Sequence, residues 1–142
     1  MIREMELKDA KAIYEINKES LEYEFPESKT AEKLKTISKL PNNQIFVYKV
    51  NGKVVGYIHL ADYENTYHDS LKNILILAVK PDYQGQGIAS QLLEKGQQWA
   101  EEQGSHGIRL VTGFERQNAR VFYEKHGFHK RKDQRNYIKW WD

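Results

Sequence analysis

Gln84, Gly85, Gln86, Gly87, Ile88, Ala89 and Ser90 form the stretch of this chain best suited to chemistry. Two glycines stand one residue apart where an apolar run over 74–79 gives way to a helical pattern. The first backbone N–H groups of a helix have no intrahelical partner and carry partial positive charge, so a helix start can hold an anion. Gly85 and Gly87 remove side chains that would keep a phosphate off those amides, and Ala89 keeps the next contact small. The same glycines could instead serve only a tight strand-to-helix turn. The stretch lacks the lysine and Ser/Thr of a P-loop and the three-glycine spacing of a dinucleotide fold. The chemistry it suggests is pyrophosphate binding, held neither as ATP nor as NAD.

Such a turn needs a strand before it and a helix after it. Residues 74–79 are apolar without alternation, as expected of a central strand covered on both faces. From 85 to 103 the apolar residues fall on adjacent helical edges, Ile88, Leu92 and Trp99 beside Ala89, Leu93 and Ala100, with Gly104 as the cap. Upstream, residues 1–3 suit a short strand. Leu7, Ala10, Ile13, Ile16 and Leu21 suit a helix, and Leu34, Ile37 and Leu40 suit a second one ended by Pro41. Two β-rich runs, 44–50 and 53–60, flank Asn51 and Gly52, a strong hairpin signal. A polar loop over 62–70 follows. Downstream come a strand over 108–112, a helix over 117–126 and two closing strands over 128–132 and 136–141. The order is β-αα-βββ-α-β-α-ββ, a mixed α/β (α+β) domain with about four helices around a largely antiparallel sheet. One domain over 1–142 is expected, since domains cluster at roughly 100–150 residues.

A second motif lies in the downstream helix: Asn118, the small Ala119, Tyr123, and then Gly127 and Phe128. Together with Gln84, Gly85, Gln86, Gly87, Ile88 and Ala89, it resembles the signatures of the GNAT superfamily of N-acetyltransferases. Order and spacing of elements match that family over essentially the whole chain. The resemblance implies acetyl-CoA as co-substrate, with its pyrophosphate on the amides of Gln84 to Ser90. It implies that the pantetheine arm pairs with the backbone of Leu77, Ala78 and Val79, where that strand splays from the next. It further implies that Asn118 contacts the CoA arm and that Tyr123 stands near the thioester sulfur. A phenol there can protonate the departing thiolate. Tyr123 could alternatively be only a core aromatic beside Phe122. A backbone N–H, that of Val79, would polarise the thioester carbonyl as an oxyanion donor.

The base is less defined. Some members of that family carry a glutamate on the strand, whereas this chain has Asn73 there, which cannot take up a proton usefully. Glu64, His68 and Asp69 in the loop and His59 on the preceding strand are the candidates, with Glu64 first among them. Each also reads as a solvated loop charge or, for His59, a histidine on an exposed strand face. A water chain could serve in their place. For the acceptor, the family's usual walls correspond to Glu19, Glu22, Tyr23, Glu24, Phe25 and Glu27 with Tyr137 and Trp140. Carboxylates and aromatic faces suit an amine, of a small molecule or a peptide. The end of the chain, Tyr137 to Trp141, otherwise reads as strand and core.

Composition narrows the field further. The 142 residues contain no cysteine, which excludes a disulfide scaffold, a thiolate metal site and an acyl-cysteine relay. His106, His126 and His129 match no compact ligand spacing, so no metal is expected. The net charge of +2 conceals nine acids against five bases in 1–32 and seven bases against two acids in 120–139. That balance argues against a dedicated nucleic-acid partner. No apolar run suits a membrane span and no leader is evident, so a cytoplasmic location is the default. The family's habit of pairing implies a possible homodimer. The competing functions are an acyl-CoA-binding sensor without turnover and, behind it, an RNA-binding module on the basic aromatic tail.

Overall fold

A computed structural model describes residues 1–113 and 117–141. They fall into two units, Met1–Leu110 and the residues from Val111 onward, and each is described by itself.

The first unit is organised around a hairpin. Asn51 and Gly52 both take positive φ, 49° and 81°, as a two-residue type I′ turn demands. They join β2 (Asn43–Val50) to β3 (Lys53–Tyr63). β1 (Ile2–Glu4) and β4 (Leu71–Val79) extend the sheet on either side, all antiparallel, and β5 (Ile108–Arg109) adds a parallel edge. Against one face pack α1 (Ala10–Leu21) and α2 (Glu27–Ser38), burying Ile13, Ile16 and Leu34 with Tyr57 and Ala78. Against the other lies α3 (Ile88–Glu102). It comes close because it presents Gly96, where a Cβ would stand 3.0 Å from the Ile58 side chain. Gly104, at φ 78°, caps α3: Ser105 N–H donates to the Ala100 carbonyl and Gly104 N–H to that of Glu101.

β4 departs from expectation in two ways. It is not covered on both faces throughout, since Leu75 is 49% exposed. The cause is a β-bulge: His59 faces Ile76 and Leu60 faces Ile74, leaving Leu75 with no partner on β3. Second, its pairing with β5 ends after Lys72↔Ile108 and Asn73↔Arg109, so β5 stops well short of the expected Thr112.

The second unit contains α4 (Gln117–Lys125), which ends on Gly127 at φ 90° with the same capping pattern, Phe128 N–H donating to the Tyr123 carbonyl and Gly127 N–H to that of Glu124. Ala119, Phe122 and Tyr123 are its half-buried side chains, as the spacing predicts. The two closing strands do not form: residues 128–141 carry no strand, and Tyr137 is 82% and Trp141 90% exposed. The expectation of strand and core there is therefore corrected. A strand exists only through its ladder partner, and a lone two-stranded hairpin is marginal in water. The charged link Lys132, Asp133, Gln134 and Arg135 offers no glycine turn to start one.

Candidate functional site

The backbone of β4 becomes available where β5 ends. Lys80 N–H donates to the Val55 carbonyl at 2.8 Å, so the Gly56↔Val79 pair is a non-hydrogen-bonded one and Tyr57↔Ala78 a bonded one. Leu77 and Val79 therefore aim their N–H and C=O groups away from β3, toward the open edge. Ala78 turns its own to Tyr57, which narrows the expected triplet to its two outer members. The Val79 carbonyl is already engaged: Ser20 Oγ donates to it at 2.8 Å and Gln84 Nε2 at 3.0 Å. Within the first unit, the outward groups on offer are the Val79 N–H and both groups of Leu77.

The chain leaves β4 through a short 3₁₀ turn, Pro81–Tyr83, and reaches α3 through Gly85 and Gly87, both left-handed at φ 79° and 82°. Both glycines are required by the backbone itself. A Cβ at either would meet no atom within 4 Å, so it is the positive φ and not crowding that asks for glycine there. Gln84, Gly85, Gln86 and Gly87 are exposed. Ile88 buries its side chain in the core, while the amides of Ile88, Ala89 and Ser90 head the helix, whose first internal bond runs from Gln91 N–H to the Gly87 carbonyl. The end of α1 docks beside this turn: Lys80 pairs with Glu15 at 3.2 Å and Glu19 at 3.8 Å. Glu19 thus faces a lysine of the turn. Ser20 and Lys80 carry no motif, and only the folded contact between α1 and β4 reveals them.

Asn118 and Tyr123 lie on α4 in the second unit, where Tyr123 meets Phe122 and Phe128 edge-on at 5.2 and 5.5 Å. The base candidates separate clearly. His59 is 6% exposed, not on an exposed face as expected; its Nε2–H donates to Asn43 Oδ1 at 2.9 Å, and burial pushes its pKa down to about 4. The bulge and the cover of the sheet explain the error, since alternation alone cannot tell which face is filled. His68 uses both ring nitrogens, Nδ1–H toward the Asp69 carbonyl at 2.8 Å and Nε2 accepting from Asn65 at 2.9 Å. Glu64 is exposed and accepts from Ser70 Oγ at 2.9 Å, and Asp69 is exposed too. Asn73 holds Arg109, whose Nη1 donates to its Oδ1 at 2.9 Å.

Glu22 ends α1 at φ 60°, and Tyr23, Glu24, Phe25 and Glu27 are exposed on the connection to α2. Phe25 borders a shallow depression of about 220 Å³ with Lys29, Glu32, Lys33 and Thr36. Tyr137 and Trp140 are exposed in the second unit. Among the described residues no three His, Asp or Glu side chains group as metal ligands. Among them also, no helix is long and apolar enough to cross a membrane.

Comparison with known proteins gives these features a setting. Residues 41–130 match the family model described as an acetyltransferase (GNAT) domain. An uncharacterized N-acetyltransferase of Methanocaldococcus jannaschii is 29% identical over 109 residues, 75% of this chain and 46% of that protein. An aminoalkylphosphonate N-acetyltransferase of Salmonella typhimurium is 35% identical over 79 residues, 55% of this chain and 51% of that protein. The chain thus spans about half the length of the curated relatives it matches. A transcriptional regulator from Bacillus halodurans superposes with a TM-score of 0.88 at 24% identity, over 98% of this chain and 99% of its own. The aminoglycoside N-acetyltransferase AAC(6')-Iy, solved with CoA, gives 0.86 at 18% identity over 98% and 93%. At these identities the structural likeness shows the fold.

Proposed function

The chain belongs to the acetyltransferase (GNAT) family, and from that premise we propose that it moves an acetyl group from acetyl-CoA directly to a primary amine of a small molecule or peptide. The observation that carries the reading is the open edge of β4 running into a left-handed glycine turn at the head of α3. The outward amides of Leu77 and Val79 suit an extended amide-bearing arm, and the turn amides from Gln84 to Ser90 suit a pyrophosphate. Asn118 contacts the arm in this reading. With no cysteine in the chain, no acyl-cysteine intermediate forms.

The residues divide the chemistry as follows. The Val79 N–H donates to the carbonyl oxygen as charge gathers on it, a contribution typically worth a hundredfold or more in rate. The acceptor nitrogen bonds to the acetyl carbon, the carbon–sulfur bond breaks, Tyr123 gives its proton to the departing thiolate, and the proton that the nitrogen sheds as the amide forms passes to solvent, which restores the Tyr123 phenol. The ammonium form of the acceptor must first lose a proton. His59 is buried and His68 is doubly bonded, so an exposed carboxylate of the loop, Glu64 first and Asp69 after it, or a water chain takes that role. Glu22, Tyr23, Glu24 and Phe25 form the acceptor wall. A small-molecule amine is favoured because the names of an aligned relative and of a fold neighbour both denote enzymes acting on small amines. A cytoplasmic location and a homodimer complete the proposal.

The test is a panel of amines with acetyl-CoA, following free thiol release, with Tyr123→Phe as control. Turnover is expected on at least one amine. Tyr123→Phe is expected to lower kcat about 10- to 100-fold while leaving the KM for acetyl-CoA within about twofold. Tight CoA binding with no thiol release on any amine would replace this reading with an acyl-CoA sensor.

A further inference from the structure

Two described arginines are half-buried, Arg3 and Arg109, and they are treated differently. Arg3 is neutralised: Nη1 and Nη2 donate to the two Asp9 oxygens, each at 2.8 Å. Arg109 is held by groups that carry no charge. Its Nη1 donates to Asn73 Oδ1 at 2.9 Å, and its guanidinium lies 4.3 Å from the centre of the Tyr63 ring. Tyr63 in turn stacks on His68 at 5.7 Å and 22°. The His68 ring is held from both sides, at Nδ1 by the Asp69 carbonyl and at Nε2 by Asn65, whose oxygen accepts from Tyr67 N–H. Among the described residues no carboxylate lies within ion-pairing distance of Arg109. A guanidinium oriented by an amide and two stacked rings, its charge uncompensated, is prepared for an anion. Since Arg109 can only donate, Asn73 must present its oxygen to it, which leaves the Asn73 amide N–H₂ as a second donor at the same place.

The position carries the meaning. Asn73 and Arg109 are the last cross-strand pair before β4 opens, four residues before the outward amide of Leu77. That is about 13 Å along an extended strand, less at a bulge, a gap that the arginine side chain and a few carbon atoms can close. We propose that Arg109, with Asn73, binds an anionic group on the acceptor, a carboxylate or phosphonate separated from its amine by a short chain. This rests on the acetyltransfer reading above and narrows its substrate class to amines that carry a negative charge.

The experiment pairs each anionic amine with a neutral counterpart: β-alanine against β-alaninamide, and 2-aminoethylphosphonate against its diethyl ester. Wild-type kcat/KM should favour the anionic member at least tenfold. Arg109→Gln should lose at least tenfold on the anionic amines and less than twofold on the neutral ones, with Arg109→Lys recovering part of the loss. The carboxylate and phosphonate arms show which anion fits. Calorimetric binding of the same anionic amines to the CoA-loaded protein supplies a reading independent of turnover. Arg109-dependent binding without turnover would sustain this site while removing the acetyltransfer reading. Equal losses on charged and neutral amines, or wild-type binding that does not distinguish them, would reduce Arg109 to a clasp between β4 and β5. If Arg109→Gln fails to fold, Arg109→Lys and the wild-type preference decide the matter.

Discussion

Single side chains around Val79 show how a peptide group is aimed. Its carbonyl takes one hydrogen bond from Ser20 on α1 and one from Gln84 on the turn. With the carbonyl pinned from two directions, the peptide plane between Val79 and Lys80 is held, and the pairing of β4 with β3 on the preceding side keeps the Val79 N–H aimed at the open edge. Ser20→Ala removes one donor from a half-buried acceptor, a loss of about 1 kcal/mol. We expect a small fall in melting temperature and a two- to fivefold rise in the KM for acetyl-CoA, with Ser20→Thr restoring both. An unchanged KM would leave Ser20 a purely structural contact. At this scale the glycine turn was legible because its residue types are forced by backbone geometry. Ser20, Lys80 and Arg109 were not, because a serine, a lysine and an arginine with no motif acquire meaning only from what the fold sets beside them.

Elements were legible in proportion to how local their causes are. The hairpin followed from Asn51 and Gly52, and α3 and α4 from their periodicity and terminal glycines. The misses are all non-local. The bulge at Leu75, the two-residue length of β5 and the unpaired end of the chain each depend on which partner a strand finds. The turn into α3 allows a controlled comparison. Gly52 and Gly87 share φ near 80° and open surroundings, so alanine at either should cost about 1–2 kcal/mol of stability. Only Gly87→Ala should also weaken CoA binding, by about tenfold, because only there does the new methyl group stand over the amides at the head of a helix. Equal CoA affinity in the two variants, measured by calorimetry, would mean that the turn is shaped for folding alone.

The whole molecule carries a built-in sensitivity to acid. His59 is buried with its pKa pushed down to about 4, whereas the unfolded chain takes up the proton near 6.5. A depressed histidine value means that the unfolded state binds the proton first, so stability falls as pH drops from 6.5 toward 4, by at most about 3 kcal/mol. Urea midpoints at pH 7, 5.5 and 4 should show that slope, and His59→Gln should flatten it. A slope of equal size in the variant would place the sensitivity elsewhere. Net charge, in contrast, says little at this scale, since +2 is what remains after an acidic first quarter and a basic last one cancel. The extra residue at Leu75 reaches furthest. A strand has parity, and inserting one residue reverses it. Before the bulge the even-numbered Lys72 sends its N–H outward to Gly107, and after it the odd-numbered Leu77 and Val79 do so. Were the bulge ironed out with Leu75 kept, the pairing of Leu60 with Ile74 carried on in plain alternation would hand the open edge to Ile76 and Ala78 and turn the amides of Leu77 and Val79 inward against β3.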